Sequence, residues 1–217
     1  TFTAAATEAV KTTAAAGVNI VNETIAVNHK MTTTGGGIVT LNADTTTLTL
    51  AAAGDIVADS TVSLTGNTGI STGGDVTTTA DTVTYNSATA LTSAVAIDTT
   101  SGNAAGNTVT FSGTLDGNQT LGITAGTAGD VVFTGLVGNT TPVGAITITP
   151  ADDVTANGVR AASLVQSDGS GTTTLNSGTF TAAATEAVKT TAAAGGNIVN
   201  ETIAVNANLA NSAGADI

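Results

Sequence analysis

The stretch GIVTLNADTTTLTL, residues 37–50, is followed directly by AAAGDIVADSTVSL, residues 51–64. In both, Val, Ile or Leu alternates with Thr, Asn, Asp or Ser, and Gly or a polar cluster interrupts the alternation every few residues. A period of two is typical of a β-strand with one buried face, and Gly and Asn favour turns with positive φ. These residues therefore predict short strands joined by tight corners.

The same pattern recurs along the chain, as GVNIVNETIAV at 17–27, GDVTTTADTVTY at 74–85 and GDVVFTGLVG at 129–138. The recurrence is close to 20 residues. We therefore expect an all-β fold of the β-solenoid type, in which coils of roughly 20 residues stack and pair their backbones with the coils above and below. Longer pieces would carry an extra loop or a protruding hairpin, with residues 157–171 as one candidate.

Two alternatives stay open at this point. Tandem β-sandwich domains are the competing fold, although there is no Trp to mark a sandwich core and the Gly spacing is short and regular. The Ala-rich segment 3–17, with Glu8 three residues before Lys11, is the other alternative, since it could form a short helix ended by Gly17. Its several Thr residues favour a strand or a tight corner instead.

An internal repeat divides the chain. Residues 1–28 recur at 179–206 with one change, Val18 against Gly196. Near-identity at this period indicates a tandem duplication. We therefore predict that residues 1–178 are one full unit of the solenoid and that residues 179–217 begin the next. The second segment should stack on the preceding coils.

The composition argues against several classes of function. The 217 residues carry a net charge of -12, with four Lys and Arg, one His, no Cys and five aromatic residues. Such a chain has few of the side chains that act as bases, nucleophiles or phosphate clamps, so we expect neither an enzyme nor a nucleic-acid-binding protein. No apolar run approaches the ~18 residues of a membrane helix, which predicts a protein that does not span the membrane. Few aromatic residues suit a narrow interior.

Asp152, Asp153 and Arg160 are the only plausible nucleus of a polysaccharide-degrading site. Adjacent residues on a strand point to opposite faces, so Asp152 and Asp153 cannot form a facing carboxylate pair. A solvated turn after Pro150 is the simpler interpretation. The sequence therefore assigns no catalytic residue.

Calcium is the one ion that the acidic residues suggest. Asp55, Asp75 and Asp130 each follow Gly and could stack into acidic ladders. Stacked carboxylates repel, so they are either spaced apart or bridged by a cation, and their spacing does not match an EF-hand loop. His29 has no second His or Cys with which to form a transition-metal site. We therefore expect no cofactor and no metal ligands, with structural calcium as the alternative.

Threonine runs raise the question of ice binding, for which a regular Thr-x-Thr column on one face of a solenoid would be the mark. Runs of three Thr occur at 32–34, 45–47, 77–79 and 172–174. Their spacing is irregular, which argues against such a column.

The segments 19–56 and 107–149 resemble the repeats of very large bacterial exoproteins of the filamentous-haemagglutinin type. This resemblance implies export by two-partner secretion or as an autotransporter. It also implies an extracellular or cell-surface location and a right-handed parallel β-helical rod used for adhesion, cell contact or a biofilm matrix.

Two functions follow from these observations. The first is a structural fibre segment that associates with neighbouring repeats or chains. The second is an adhesin module that binds a carbohydrate or host protein through loops at 86–108 and 135–145.

Overall fold

The computed structural model describes residues 8–179 without a break, and beyond them 185–186, 188–190, 196–198, 202–205 and 209–211. Every regular element in these ranges is a β-strand. The strands are β1 Glu8–Thr12, β2 Val18–Asn22, β3 Ile25–Val27, β4 Lys30–Thr33, β5 Val39–Ala43, β6 Leu48–Leu50, β7 Ile56–Ala58, β8 Val62–Gly66, β9 Ile70–Thr72, β10 Val76–Thr78, β11 Val83–Tyr85, β12 Thr89–Leu91, β13 Val95–Asp98, β14 Val109–Phe111, β15 Leu115–Asp116, β16 Leu121–Thr124, β17 Val131–Phe133, β18 Val143–Ile148, β19 Val154–Asn157, β20 Val159–Gln166, β21 Thr172–Asn176, β22 Gly178–Thr179, β23 Thr185–Glu186, β24 Val188–Thr190, β25 Gly196–Ile198, β26 Thr202–Val205 and β27 Leu209–Asn211.

The strands form three parallel faces around one axis. Face A contains β1, β4, β7, β10, β13, β16, β18 and the second half of β20, and face B contains β2, β5, β8, β11, β14, β17, β19, β21 and β26. Face C contains β3, β6, β9, β12 and β15 and continues through single bridges at Val137 and Val159. Each coil visits faces B, C and A in turn.

This arrangement is a β-solenoid of about 8 coils with about 22 residues per coil. The predicted fold is confirmed. The β-sandwich alternative is wrong, because strands that are neighbours in sequence lie on different faces and pair in parallel with the next coil instead of antiparallel with each other.

Coil length varies with the corners. Val83 pairs with Val109, 26 residues later, whereas Val154 pairs with Thr173, 19 residues later. The additional residues of the longer coil form the loop 99–108. The buried Thr99 hydroxyl holds this loop, since it accepts the N–H of Asn107 at 3.0 Å and lies 2.9 Å from the carbonyl oxygen of Ala125, to which it donates.

Two further expectations concern single segments. The protruding hairpin predicted at 157–171 is wrong, because Val159–Gln166 is a strand that pairs with β18 and buries alternate small or apolar side chains. The helical alternative for 3–17 is wrong over the described residues 8–17, where β1 pairs with β4 and a turn brings the N–H of Gly17 to the carbonyl of Ala14. Residues 3–7 lie outside the described residues.

The interior is built from columns of identical or similar side chains. One inward position of face B carries Val in seven successive strands, from Val18 to Val154, before Thr173 takes the place. The next inward position contains the stacked rings of Tyr85, Phe111 and Phe133. Because each coil buries its apolar side chains against two neighbours, a narrow interior of medium-sized residues suffices.

Glycine serves two different purposes at the corners. Gly17 and Gly158 have positive φ, as the sequence predicts. Gly54 has an ordinary φ, but a Cβ there would lie 2.3 Å from the carbonyl oxygen of Val27, and a Cβ on Gly74 would lie 2.5 Å from that of Gly54. At these corners glycine is required because the coils approach too closely for a side chain.

Three strands of the duplicated segment stack on the preceding coil as predicted, since β24 and β25 pair with β20 and β26 pairs with β21. The two copies use different faces. Val18 pairs within face B, whereas its counterpart Gly196 pairs with Leu164 of face A. The one sequence difference between the copies thus coincides with a change of face.

Candidate functional surfaces

The three aspartates predicted to be equivalent fall into two separate pairs. Asp55 and Asp75 are neighbours at the start of face A strands, because Ile56 pairs with Val76. Asp130 precedes a face B strand and is neighbour to Asp153. The prediction that Asp130 stacks with Asp55 and Asp75 is therefore wrong, since a Gly-Asp dipeptide can precede a strand of either face.

These carboxylates accept backbone hydrogen bonds from the next coil. The N–H of Asp75 donates to Asp55 Oδ1 at 3.0 Å, and the N–H of Ala96 donates to Asp75 Oδ1 at 2.7 Å. On face B the N–H of Asp153 donates to Asp130 Oδ1 at 3.2 Å. Hydrogen bonds to a charged acceptor stabilise the negative charge. Stacked aspartates in this fold thus have a role that involves no cation.

The same geometry recurs at other corners. Asp116 Oδ1 accepts the N–H of Thr140 at 2.7 Å and that of Thr141 at 2.9 Å. Asp59 Oδ2 accepts the N–H of Gly36 at 2.7 Å. Within residues 8–179 and the later described strands, no group of three or more His, Cys, Asp and Glu side chains could hold a metal ion.

The polysaccharide-degrading nucleus is not assembled. Asp152 lies in a bend after the cis Thr149–Pro150 bond, where its Oδ1 accepts the hydroxyl of Ser170 at 2.7 Å. The predicted turn after Pro150 is confirmed. Asp153 precedes a face B strand and accepts the N–H of Thr172, whereas Arg160 lies on face C in the strand that pairs with Val137. His29 is half-buried in the corner between β3 and β4.

A shallow groove runs across face C. Its volume is about 300 Å³, and its polar lining includes Thr47, Thr68, Ser71, Thr114, Asp116 and Thr140. Ala88, Thr89 and Ala90 complete one wall, so parts of both predicted binding loops, 86–108 and 135–145, meet here. Much of those two ranges is strand, however, because β12, β13 and the start of β18 fall within them. The groove has one charged group and no aromatic side chain.

The Thr runs do not form one column. Residues 32–34 and 77–79 lie at face A, 45–47 at a corner before β6, and 172–174 at face B. A regular array exists elsewhere, on the outer side of face B, where TVSLT at 61–65 is followed by TVTYN at 82–86 and TVTFS at 108–112. Sequence reasoning missed this array because it counted uninterrupted Thr runs. The signal that finds it is Thr-Val-Ser/Thr at the start of successive face B strands.

The described residues contain no long apolar helix of the kind that crosses a membrane. The comparisons with known proteins identify no relative, since no family model, no curated protein and no solved structure matches the chain.

Proposed function

We propose that this chain is a structural segment of a giant secreted or cell-surface bacterial fibre or adhesin. Its role is to form an elongated rod that associates with neighbouring repeats or chains in cell contact or an extracellular matrix. The resemblance to filamentous-haemagglutinin-type repeats and the shortage of catalytic side chains support this proposal.

The observation that carries the proposal is the continuity of the parallel ladders. Face B runs strand by strand from β2 to β26, and face A continues into β25 of the duplicated segment. A fold of this type lengthens by adding coils, each of which contacts only its neighbours. Each coil adds about 4.8 Å to the axis, the spacing between paired strands.

Small-angle X-ray scattering on chains with one, two and three copies of the 178-residue unit tests this role. With about 8 coils per unit, each added copy should lengthen the particle by about 38 Å at constant cross-section. Val83→Pro is the control, because it removes the N–H that donates to the carbonyl of Thr108 at 3.1 Å in the middle of face B. Particles that grow in all three dimensions, or a Pro variant that remains as long and as rigid, would contradict the rod.

The groove on face C favours a second candidate, an adhesin module for a neutral carbohydrate. Hydroxyl groups of Thr68, Ser71 and Thr114 line it beside the carboxylate of Asp116, and these are partners for sugar hydroxyls. Binding of neutral oligosaccharides, followed by calorimetry, should be lost in Ser71→Tyr and kept in Thr77→Tyr, which lies on face A. Absence of binding by the unchanged protein at millimolar glycan would reject this candidate and leave the rod proposal intact.

A further inference from the structure

The outer side of face B carries a regular two-dimensional array of hydroxyl side chains. Three consecutive strands present their first, third and fifth residues outward, while Val and a larger side chain alternate inward. We call this array the hydroxyl grid. It consists of Thr61, Ser63, Thr65, Thr82, Thr84, Asn86, Thr108, Thr110 and Ser112.

The rows of the grid are aligned by the backbone register. Ser63 pairs with Thr84, and Thr84 pairs with Thr110, without a bulge in either strand pair. Side chains in one column are therefore about 4.8 Å apart, and those two residues apart along a strand are separated by about 6.6 Å. The grid is a rectangular lattice with two fixed spacings.

The grid is neutral although the whole chain carries a charge of -12. The outer side of face A differs, since it carries Asp98 beside Thr77. The hydroxyls of Thr82, Thr84 and Thr110 make no hydrogen bond to another described side chain or backbone group, so they are directed to solvent.

The grid is also held rigidly. The inward side chains beneath it are Leu64, Tyr85 and Phe111, which are fully buried, and the rings of the last two stack. The Asn86 amide joins two coils, because Nδ2 donates to Ser63 Oγ at 3.0 Å and to Thr65 Oγ1 at 3.1 Å. Thr side chains have few rotamers. The positions of the hydroxyl and methyl groups are therefore set before any ligand arrives, which lowers the entropic cost of binding.

We propose that the hydroxyl grid binds ice. Water oxygens in hexagonal ice repeat on planes with two unequal spacings, and these are close to the strand spacing and the two-residue spacing of the grid. A flat, neutral lattice of hydroxyls and methyl groups can order a layer of water that joins the crystal. A charged or mobile surface cannot hold such a layer in register.

Ice recrystallisation inhibition and thermal hysteresis measure this activity directly. The unchanged chain should slow recrystallisation and show hysteresis, and Thr84→Tyr at the centre of the grid should lose the activity several-fold. Thr77→Tyr is the matched control, since it places the same ring on face A of the same coil and should retain full activity. Tyr is well accepted at outward strand positions, and circular dichroism verifies that both variants fold.

A second measurement does not depend on any variant. The fluorescently labelled chain should be incorporated into a slowly growing ice hemisphere. Exclusion from the ice, or equal activity of T84Y and the unchanged chain, would overturn the proposal. Adsorption to powdered cellulose or chitin, or a change of oligomeric state in T84Y, without ice activity in the unchanged chain would assign the grid to a polysaccharide or to a second copy and would also overturn it.

Discussion

The ring of Tyr85 stacks on the ring of Phe111, with centroids 4.6 Å apart and planes 12° from parallel. Phe133 stacks on the opposite side of Phe111 at 5.5 Å. All three rings occupy the same inward position in successive coils of face B. The side chains that the composition makes scarce are thus concentrated in one column, where each ring covers the next.

The hydroxyl of Tyr85 is a weak point of this column. It is buried and makes no hydrogen bond to the described residues. An unpaired buried polar group costs about 1–3 kcal/mol, so Tyr85→Phe should raise the free energy of unfolding by about 1 kcal/mol in urea denaturation. Phe111→Ala is the comparison, and it should lose about 3–5 kcal/mol because it leaves a cavity in the stack. A less stable Tyr85→Phe protein would mean that the hydroxyl has a bonding partner.

The same side chain predicts a loss of stability in alkali. Burial, and to a smaller extent the negative charge of Asp75, raises the pKa of Tyr85 above its ordinary value of 10.0. The folded protein retains this proton at a pH where the unfolded chain releases it, so the contribution is complete below pH 10.0 and falls as the pH rises above it. Unfolding free energies at several pH values above 10.0 should fall more steeply for the unchanged protein than for Tyr85→Phe.

A buried polar pair interrupts two apolar columns. Thr173 Oγ1 donates to Gln166 Oε1 at 2.5 Å, both residues are 1% exposed, and Gln166 Nε2 has no hydrogen-bond partner in the described residues. The column neighbours are Ile148 for Gln166 and Val154 for Thr173.

We expect Thr173→Val alone to lose about 1–3 kcal/mol, since it leaves the amide oxygen of Gln166 without this donor. The double variant Gln166→Met/Thr173→Val should be at least as stable as the unchanged protein, because both polar groups are replaced by apolar ones of similar size. A double-mutant cycle from thermal melts measures the coupling. Additive losses in the double variant would contradict this account of the pair.

Asp59 predicts a stability contribution that is lost in acid. The backbone N–H of Gly36, the hydroxyl of Thr79 and the backbone of Gly35 hold the pKa of this carboxyl below its ordinary value of 3.8. A lowered folded pKa means that the contribution is complete above pH 3.8 and is lost as the pH falls below it.

The melting temperature of Asp59→Asn tests this contribution. Asn retains the carbonyl acceptor but not the charge, so the variant should melt below the unchanged protein at neutral pH. The difference should narrow as the pH falls below 3.8. A difference that stays constant with pH would show that the charge of Asp59 does not contribute.

Gly54 and Gly122 predict opposite effects of one methyl group. A Cβ at Gly54 would lie 2.3 Å from the carbonyl oxygen of Val27, whereas a Cβ at Gly122 meets nothing within 4 Å. Gly54→Ala should lose about 1–3 kcal/mol, as overpacking does. Gly122→Ala should gain about 0.5–1 kcal/mol from the reduced freedom of the unfolded chain. Equal effects in denaturant unfolding would refute the close approach of coils at Gly54.

The acidic composition acquires a structural explanation. Six carboxylates accept a backbone N–H from a neighbouring coil, namely those of Asp55, Asp59, Asp75, Asp116, Asp130 and Asp153. A corner leaves amide groups outside the ladders, and those groups need acceptors, which Asp supplies and Lys cannot. Part of the net charge of -12 is thus used to join coils. The sequence does not reveal this use, because the partners are one coil apart.

Alternation and spacing were sufficient to predict strands, corners and stacking. The pattern TVSLT, TVTYN and TVTFS at 61–65, 82–86 and 108–112 also contains the hydroxyl grid, although its members become neighbours only through the register of face B. The groove on face C could not be predicted. It depends on which corners meet between Thr47 and Thr140, and that depends on the length of every coil between them.

The sequence by itself determined an all-β chain of short strands, the coil length near 20 residues, the internal repeat and the shortage of catalytic groups, because these follow from local alternation and composition. Tertiary structure alone decided which face each strand occupies. It paired Asp130 with Asp153 and placed the near-identical segments that contain Val18 and Gly196 on different faces. The physical reason is that a face is assigned by backbone pairing with the preceding coil, and corners of unequal length, such as 99–108, shift that register without changing the local pattern.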